Sequence, residues 1–316
     1  MLVFSSVGRA AAAASDPIGM LNCVTSCGGV KVPYPFGIGP DASCYLPGFS
    51  LICNTTGSKP WLLLDADGII QVLRISDNAE IPLLDVQRNG DVKISVDAHG
   101  NGNSTFSRGL RRHGPYTLAS YQNELILTGC NVQATVKNGN VTLASFTSLC
   151  KEDLAPQAAE DESSLTKRCS GGTGCCHTDI VTPAGYDEGE AYSISSTGTS
   201  KYDVQLRWFG WNRSADLERF PVRVFIAEKG WYDNTSISKD LLQIDHPMSK
   251  EAMAVPVTLR WEVVGHPISS VCKSNHSEHI KGTRRGSYVC RCSRGYHGNP
   301  YLTDGCKGKW PSTFHY

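Results

Sequence analysis

The stretch WLLLDADGIIQVLRI, residues 61–75, holds two short apolar runs separated by Asp67-Gly68. That order is the pattern of a β-hairpin, because a tight Asp-Gly turn with positive φ matches the right-handed twist of its flanking strands. The same grammar continues on the C-terminal side. DVKISVDA (91–98), YTLAS (116–120), ELILTGCNVQATV (124–136) and NVTLASF (140–146) are strand-like, with Asn89-Gly90 and Asn138-Gly139 as punctuation. Farther on, YDVQLRWFGW (202–211), PVRVFIAEKGW (221–231) and VPVTLRWEVV (255–264) are also strand-like. SADLERF (214–220) and SISKDLLQI (236–244) read as short helices, each opening on a Ser that can cap it.

The polar, acidic segment KEDLAPQAAEDESSLTKR (151–168) has no β-branched run and reads as an exposed loop. It divides a β domain at 20–150 from a second β-rich lobe at 169–265, with a small cysteine module at 266–316. The expected fold is therefore mainly β: a disulfide-rich, two-lobed β-sheet protein with short helices. On the N-terminal side of the hairpin, Pro33 and Pro35 bias Tyr34 toward extended geometry, so residues 23–60 should be irregular or edge strand pinned by disulfides.

Thirty Lys and Arg balance thirty Asp and Glu, which argues against a nucleic-acid binder working through a global basic field. Thirteen cysteines fall in three groups: 23, 27, 44 and 53; 130, 150, 169, 175 and 176; 272, 290, 292 and 306. Disulfides persist in oxidising compartments, and six sequons, at Asn54, Asn103, Asn140, Asn212, Asn234 and Asn275, independently favour a glycosylated extracellular chain. Residues 1–15 read as a short signal peptide ending in an alanine run, although Arg9 interrupts its apolar part. No apolar run approaches the ~18 residues needed to cross a bilayer.

The motif CGGVKVPYPFGIG (27–39), followed by FSLIC (49–53), GCNVQAT (129–135) and GCC (174–176), resembles the galacturonan-binding ectodomain of plant wall-associated receptor kinases. LRWFGWNRS (206–214) and FIAEKGWY (225–232) are similar to the region that follows in that family, so the resemblance runs from Cys23 to Cys306. It implies a cell-wall, pectin-binding exterior, membrane-associated where the chain is part of a whole receptor. The kinase half would need a Gly-rich loop, Val-Ala-x-Lys, His-Arg-Asp and Asp-Phe-Gly, none of which occurs in these 316 residues.

The tail resembles a reduced EGF-like module. In such modules the first cysteine pairs with the third, the second with the fourth and the fifth with the sixth. Aligned this way, Cys272 is the second cysteine, His279 stands where the third belongs, and Cys290, Cys292 and Cys306 are the last three. The resemblance thus implies Cys272–Cys290 and Cys292–Cys306, with the remaining bridge lost as a pair. A lost bridge costs ~2–5 kcal/mol in a small secreted domain, so looseness is expected at the module's N-terminal end. The other nine cysteines, Cys23, Cys27, Cys44, Cys53, Cys130, Cys150, Cys169, Cys175 and Cys176, are odd in number. One thiol of the 130–176 group is left over, and sequence does not say which. In the family a further cysteine commonly stands near Phe146. Cys175 and Cys176 should tie different strands rather than bond each other.

Galacturonan carries a carboxylate on every sugar, so a receptor for it needs cations along an extended surface and aromatic faces for the rings. SRGLRRHGPY (107–116) supplies Arg108, Arg111, Arg112 and His113 beside Tyr116, and Arg suits a carboxylate because its planar fork binds it bidentately. Lys281, Arg284 and Arg285 form a second candidate. Tyr34 and Phe36 are weaker stacking candidates, since rings in a cysteine-rich segment more often pack inward.

Zinc is the rival reading of CVTSC (23–27) or CSGGTGCCH (169–177), with His177 as a fourth ligand. The spacings do not repeat as Cys-x2-Cys pairs, so no metal is expected. The tail also lacks the carboxylate pattern of a calcium site. Asp65 with Asp67, Asp161 with Glu162, and GYDEGE (185–190) have no glycosidase-like support, and there is no Gly-x-Ser-x-Gly elbow. The expected function is non-catalytic binding of pectic polysaccharide, without a cofactor. The alternative is a secreted interaction or decoy module for receptor ectodomains.

Overall fold

The computed structural model describes residues 18–66, 69–76, 82–89, 92–106, 110, 114–149, 175–183, 202–209, 222–233 and 253–308. The leader at 1–15, the acidic loop at 151–168 and both expected helices at 214–220 and 236–244 lie outside them.

Nearly all of the regular structure among the described residues is strand. A small hairpin, β1 (Ser26–Cys27) and β2 (Val30–Lys31), opens it. Then come β3 (Gly37–Ile38), β4 (Ser50–Asn54), β5 (Trp61–Leu63), β6 (Ile70–Ile75), β7 (Leu83–Asn89), β8 (Asn101–Phe106) and β9 (Tyr116–Leu118). They are followed by β10 (Asn123–Thr128), β11 (Val132–Asn138), β12 (Val141–Ser148), β13 (Cys175–Asp179), β14 (Tyr202–Trp208), β15 (Arg223–Glu228) and β16 (Ala254–Trp261). The C-terminal module holds β17 (Val263–Val264), a single helical turn (Ile268–Val271), β18 (Ser277–Lys281), β19 (Ser287–Cys292), β20 (Tyr296–Gly298) and β21 (Cys306–Gly308).

The hairpin read from residues 61–75 is present: β5 and β6 pair antiparallel, with Leu62 opposite Val72 and Leu63 opposite Gln71. The run 124–136 is two strands. Gly129 (φ +116°) and Asn131 (φ +53°) turn the chain between β10 and β11. A side chain at Gly129 would meet Val222 Cγ2 at 2.5 Å, so only glycine permits that approach. Of the run 91–98, the described residues 92–98 form no strand; Val96 makes an isolated bridge to Gly102. Pro33 to Phe36 form a turn within this irregular, disulfide-pinned segment, with a cis Tyr34–Pro35 peptide and the Phe36 N–H donating to the Pro33 carbonyl at 2.9 Å.

The segments 20–150 and 169–265 contribute strands to the same sheets. A seven-stranded sheet runs β3-β4-β5-β6-β7-β16-β9, a four-stranded one β12-β11-β14-β8, and a three-stranded one β13-β10-β15. Every strand from 169–265 that enters these sheets pairs with strands from before residue 150: β16 with β7 and β9, β14 with β11 and β8, β13 and β15 with β10. One continuous apolar cluster reaches from Cys27 to Leu302. The two segments interleave because each leaves open strand edges, whose N–H and C=O groups are satisfied by the other.

The three-stranded sheet is covered on both faces. Leu125, Leu127, Val224, Ile226 and Cys176 join the large cluster, while Ile126, Phe225, Ala227, Cys175, Tyr232 and Val255 form a second one. Alternation along β13 therefore sends Cys175 and Cys176 to opposite sides. Buried Asn123 ties β10 to β16: its Nδ2 donates to the carbonyls of Ala119 (3.0 Å) and Thr258 (2.7 Å), and its Oδ1 accepts from the Thr258 N–H (2.9 Å).

Candidate functional site

The N-terminal cysteines pair as Cys23–Cys44 and Cys27–Cys53. In the module the bonds are Cys272–Cys290 and Cys292–Cys306, the two pairs that the resemblance implies. Cys130 and Cys175 are also disulfide-bonded. Among the described residues the free thiol is Cys176, buried at 1% exposure, and burial pushes it up to about 12. A neutral, enclosed thiol is a poor nucleophile. In the folded protein Cys176 is expected to resist iodoacetamide at mildly alkaline pH and to label only after unfolding. Mass mapping of the alkylated residue checks this, and rapid labelling of native Cys176 would contradict it.

His177, the fourth ligand of the zinc reading, instead pairs with a carboxylate. Its Nδ1 lies 3.3 Å from Glu124 Oε2, and its ring leans on Tyr232 at 5.7 Å. The hydrogen bond that the imidazole donates to the Glu124 carboxylate raises its pKa against the opposing effect of burial. Nearby, Lys229 Nζ donates to both carboxylate oxygens of Asp179 at 2.8 and 2.9 Å. Among the described residues no three His, Cys, Asp or Glu side chains are placed to hold a metal ion.

Of the five sequence-named binding residues, Arg108, Arg111, Arg112 and His113 lie outside the described residues. Phe106 is buried beneath the Arg88 guanidinium, which sits 5.1 Å from its ring centroid. Leu110, in the middle of the stretch, is fully buried. At the far end the carbonyls of Gly114 and Pro115 accept from Arg284 Nη1 (2.9 Å) and Nη2 (3.1 Å).

Tyr116 is a correction. It is 6% exposed, packed against Phe36 (6.3 Å) and Phe49 (6.0 Å), and burial drives its hydroxyl pKa well above the ordinary tyrosine value. Such a ring is a core element and offers no face to a sugar. Tyr34 and Phe36 are buried too, with Lys273 Nζ lying 5.4 Å over the Tyr34 ring.

The second basic candidate divides. Lys281 and Arg285 are exposed, but Arg284 is 4% exposed and lies inside a polar cluster around Glu262. Fully buried Glu262 accepts from Arg260 Nε (2.7 Å), from the Thr283 N–H and hydroxyl (both 2.8 Å) and from Ser287 Oγ (2.6 Å), while Arg284 Nε stands 3.6 Å away. A Cβ at Gly282 would come within 2.7 Å of Glu262 Oε2, so the hairpin needs glycine there to close over the carboxylate. This cluster occupies the module's N-terminal end, the place where the resemblance implies a missing bridge. The Arg284 side chain thereby ties the hairpin that carries Lys281 and Arg285 to the backbone of Gly114 and Pro115, about 170 residues away in sequence.

Sequence reasoning missed one exposed feature, on the outer face of the seven-stranded sheet. Trp61 is 47% exposed, Ile52 and Leu73 are each 40% exposed, and Leu63 is half-buried beside them. The available signal was the alternation in Trp61-Leu62-Leu63: Leu62 is fully buried, so its neighbours must face out. Among the sequon residues, Asn54 is half-buried and Asn103, Asn140 and Asn275 are exposed, whereas Asn212 and Asn234 lie outside the described residues.

Comparison with known proteins bears on this arrangement. The family described as wall-associated receptor kinase galacturonan-binding matches residues 23–85. Over 90% of its length the chain is similar to wall-associated receptor kinase 3 of Arabidopsis thaliana, at 29% identity and covering 36% of that protein. Wall-associated receptor kinase 1 of the same plant matches at 26% identity over 90% of the chain and 34% of its own length. Wall-associated receptor kinase-like 4 matches at 28% over 90% of the chain and 36% of its own length. The chain thus spans about a third of the length of the curated relatives it matches. No solved structure matches it. Among the described residues no helix is long and apolar enough to cross a membrane.

Proposed function

Taking residues 23–85 as a domain of the wall-associated receptor kinase galacturonan-binding type, we propose that the chain is a non-catalytic, extracellular binder of pectic polysaccharide. The observation that carries this reading is the domain match itself, and the chemistry of the basic segments agrees with it. Arg108, Arg111, Arg112 and His113 follow a strand whose last residue, Phe106, is buried, and they precede a backbone held by Arg284. Lys281 and Arg285 stand exposed on the turn beside that backbone. Cations from two segments suit a polymer with one carboxylate per sugar. Tyr116, Tyr34 and Phe36 have no part in contact with ligand; their place is the core.

Substituting Arg111→Ala together with Arg112→Ala is expected to weaken binding to de-esterified polygalacturonate about tenfold, equivalent to ~1.4 kcal/mol, with no change in thermal stability. Biolayer interferometry on immobilised polymer reads the affinity. Undiminished binding by the double variant would remove this stretch from the site.

A further inference from the structure

The exposed strip on the seven-stranded sheet has a defined neighbour. In the β4–β5 pairing Asn54 stands directly opposite Trp61, and Ile52 opposite Leu63. The β5–β6 register, with Leu62 opposite Val72, then sets Leu73 beside Trp61. Asn54, Trp61 and Leu73 therefore form one outward row across three adjacent strands, about 10 Å long at the usual strand spacing. Directly opposed side chains have Cβ atoms about 5 Å apart, so whatever Asn54 carries rises beside the Trp61 indole.

Asn54 begins the sequon Asn54-Thr55-Thr56. Its Oδ1 accepts from the Thr56 N–H at 2.9 Å and from the Thr56 hydroxyl at 2.7 Å, an arrangement that fixes the amide plane. Its Nδ2, the atom an N-glycan is attached to, makes no hydrogen bond to any described residue. An isolated exposed Trp would need no explanation. A row of exposed Trp61 and Leu73, with exposed Ile52 adjoining and a sequon at one end, does.

We propose that Asn54 is an occupied glycosylation site whose first N-acetylglucosamines lie along this row, with the apolar face of the sugar and its acetyl methyl stacked on Trp61 and reaching toward Leu73. The glycan is then the cover of the sheet's outer face and shields Trp61, Ile52 and Leu73 from other partners. A pyranose ring presents C–H groups to the negative face of an indole, the geometry in which aromatic rings hold sugars and other C–H donors. The Thr56 hydrogen bonds restrict the Asn54 side chain beforehand, which lowers the entropy lost on docking.

The test uses the full chain secreted from a eukaryotic host, with glycopeptide mass analysis for occupancy and hydroxyl-radical footprinting for solvent access at Trp61. The expected result is an occupied Asn54 and Trp61 oxidation about threefold slower than in Asn54→Gln, the change that follows when a half-exposed ring becomes covered. Trimming with an endoglycosidase that leaves one N-acetylglucosamine should preserve the protection. Thr56→Ser, which keeps the sequon, should behave as the parent. An unoccupied Asn54, or equal Trp61 oxidation in the parent and Asn54→Gln, would overturn the proposal. So would protection of Trp61 that appears only on adding polygalacturonate, which would make the strip a pectin surface instead.

Discussion

Glu262→Gln is expected to destabilise the protein by about 3–5 kcal/mol at neutral pH, the usual consequence of removing one partner from a buried ion pair. Glu262 has no exposed surface and collects hydrogen bonds from Arg260, Thr283 and Ser287 next to the 4%-exposed Arg284. Gln at this position would leave those guanidiniums without their counter-charge and turn an NH2 group toward donors. The effect has a pH signature. Burial alone would raise the Glu262 pKa, but the hydrogen bonds from Ser287, Arg260 and Thr283 outweigh it and hold the carboxyl at about 2, below the ordinary 4.5. The folded-state value is depressed, so the stabilisation is fully present above about pH 4.5 and is lost as pH falls toward 2. Wild type and Glu262→Gln should therefore converge in stability on acidification. Urea unfolding at a series of pH values measures this, and a constant gap across the acid range would exclude the carboxylate as its source.

Trp261→Ala is expected to cost at least as much, about 3–5 kcal/mol for the cavity, with the lost ring contacts added. The indole meets Phe36 at 5.2 Å and Phe49 at 5.8 Å, both nearly edge-on, and Tyr301 of the module at 5.9 Å. Trp261 pairs with Tyr116 across β16 and β9, and its backbone N–H donates to the Pro82 carbonyl at 3.0 Å. One side chain thus joins the cysteine-rich N-terminal segment, the seven-stranded sheet and the module. Limited proteolysis of the variant with its disulfides intact should open both the 34–49 region and the module, whereas Trp61→Ala, on the outer face, should open neither. Cuts confined to one of the two regions would contradict the joint role of Trp261.

The module holds its position with two bridges because other contacts fasten it. Its first strand, β17, continues from β16 and pairs with β19. Asn299 Nδ2 donates to the carbonyls of Ile18 (3.0 Å) and Tyr34 (2.7 Å), and Arg284 reaches Gly114 and Pro115. The looseness expected from a lost bridge is opposed at that end by the Glu262 cluster. Sequence showed only the missing cysteines; the compensating contacts join positions up to 281 residues apart.

What was legible in the sequence was local. The Asp-Gly signal placed the β5–β6 hairpin, and Asn138-Gly139 placed the β11–β12 hairpin, where Gly139 has φ +57°. What was not legible depends on long-range pairing. Nothing local in residues 202–208 says that β14 inserts between β11 and β8. In β10 all six residues are buried because its sheet is covered on both faces, which erases the alternation that would identify a half-exposed strand. Residues 91–98 alternate convincingly, yet among the described residues 92–98 only Val96 makes a bridge, since pattern alone cannot supply a partner. Arg284 read as a surface cation because its counter-charge, Glu262, lies 22 residues away in sequence. Cysteine parity announced an unpaired thiol, but its assignment to Cys176 needed the two faces of β13.

Retention of the folded, oxidised chain on de-esterified polygalacturonate at increasing ionic strength tests the functional claim most directly. The Debye length shrinks from about 10 Å at 0.1 M salt to about 3 Å at 1 M. Binding by exposed cations should therefore be firm at low salt, release progressively as salt rises, and be weak on the methyl-esterified polymer, which lacks the charge. A chain that passes through the de-esterified column unretarded at low salt, or that binds both polymers equally at all salt concentrations, would contradict the proposed function.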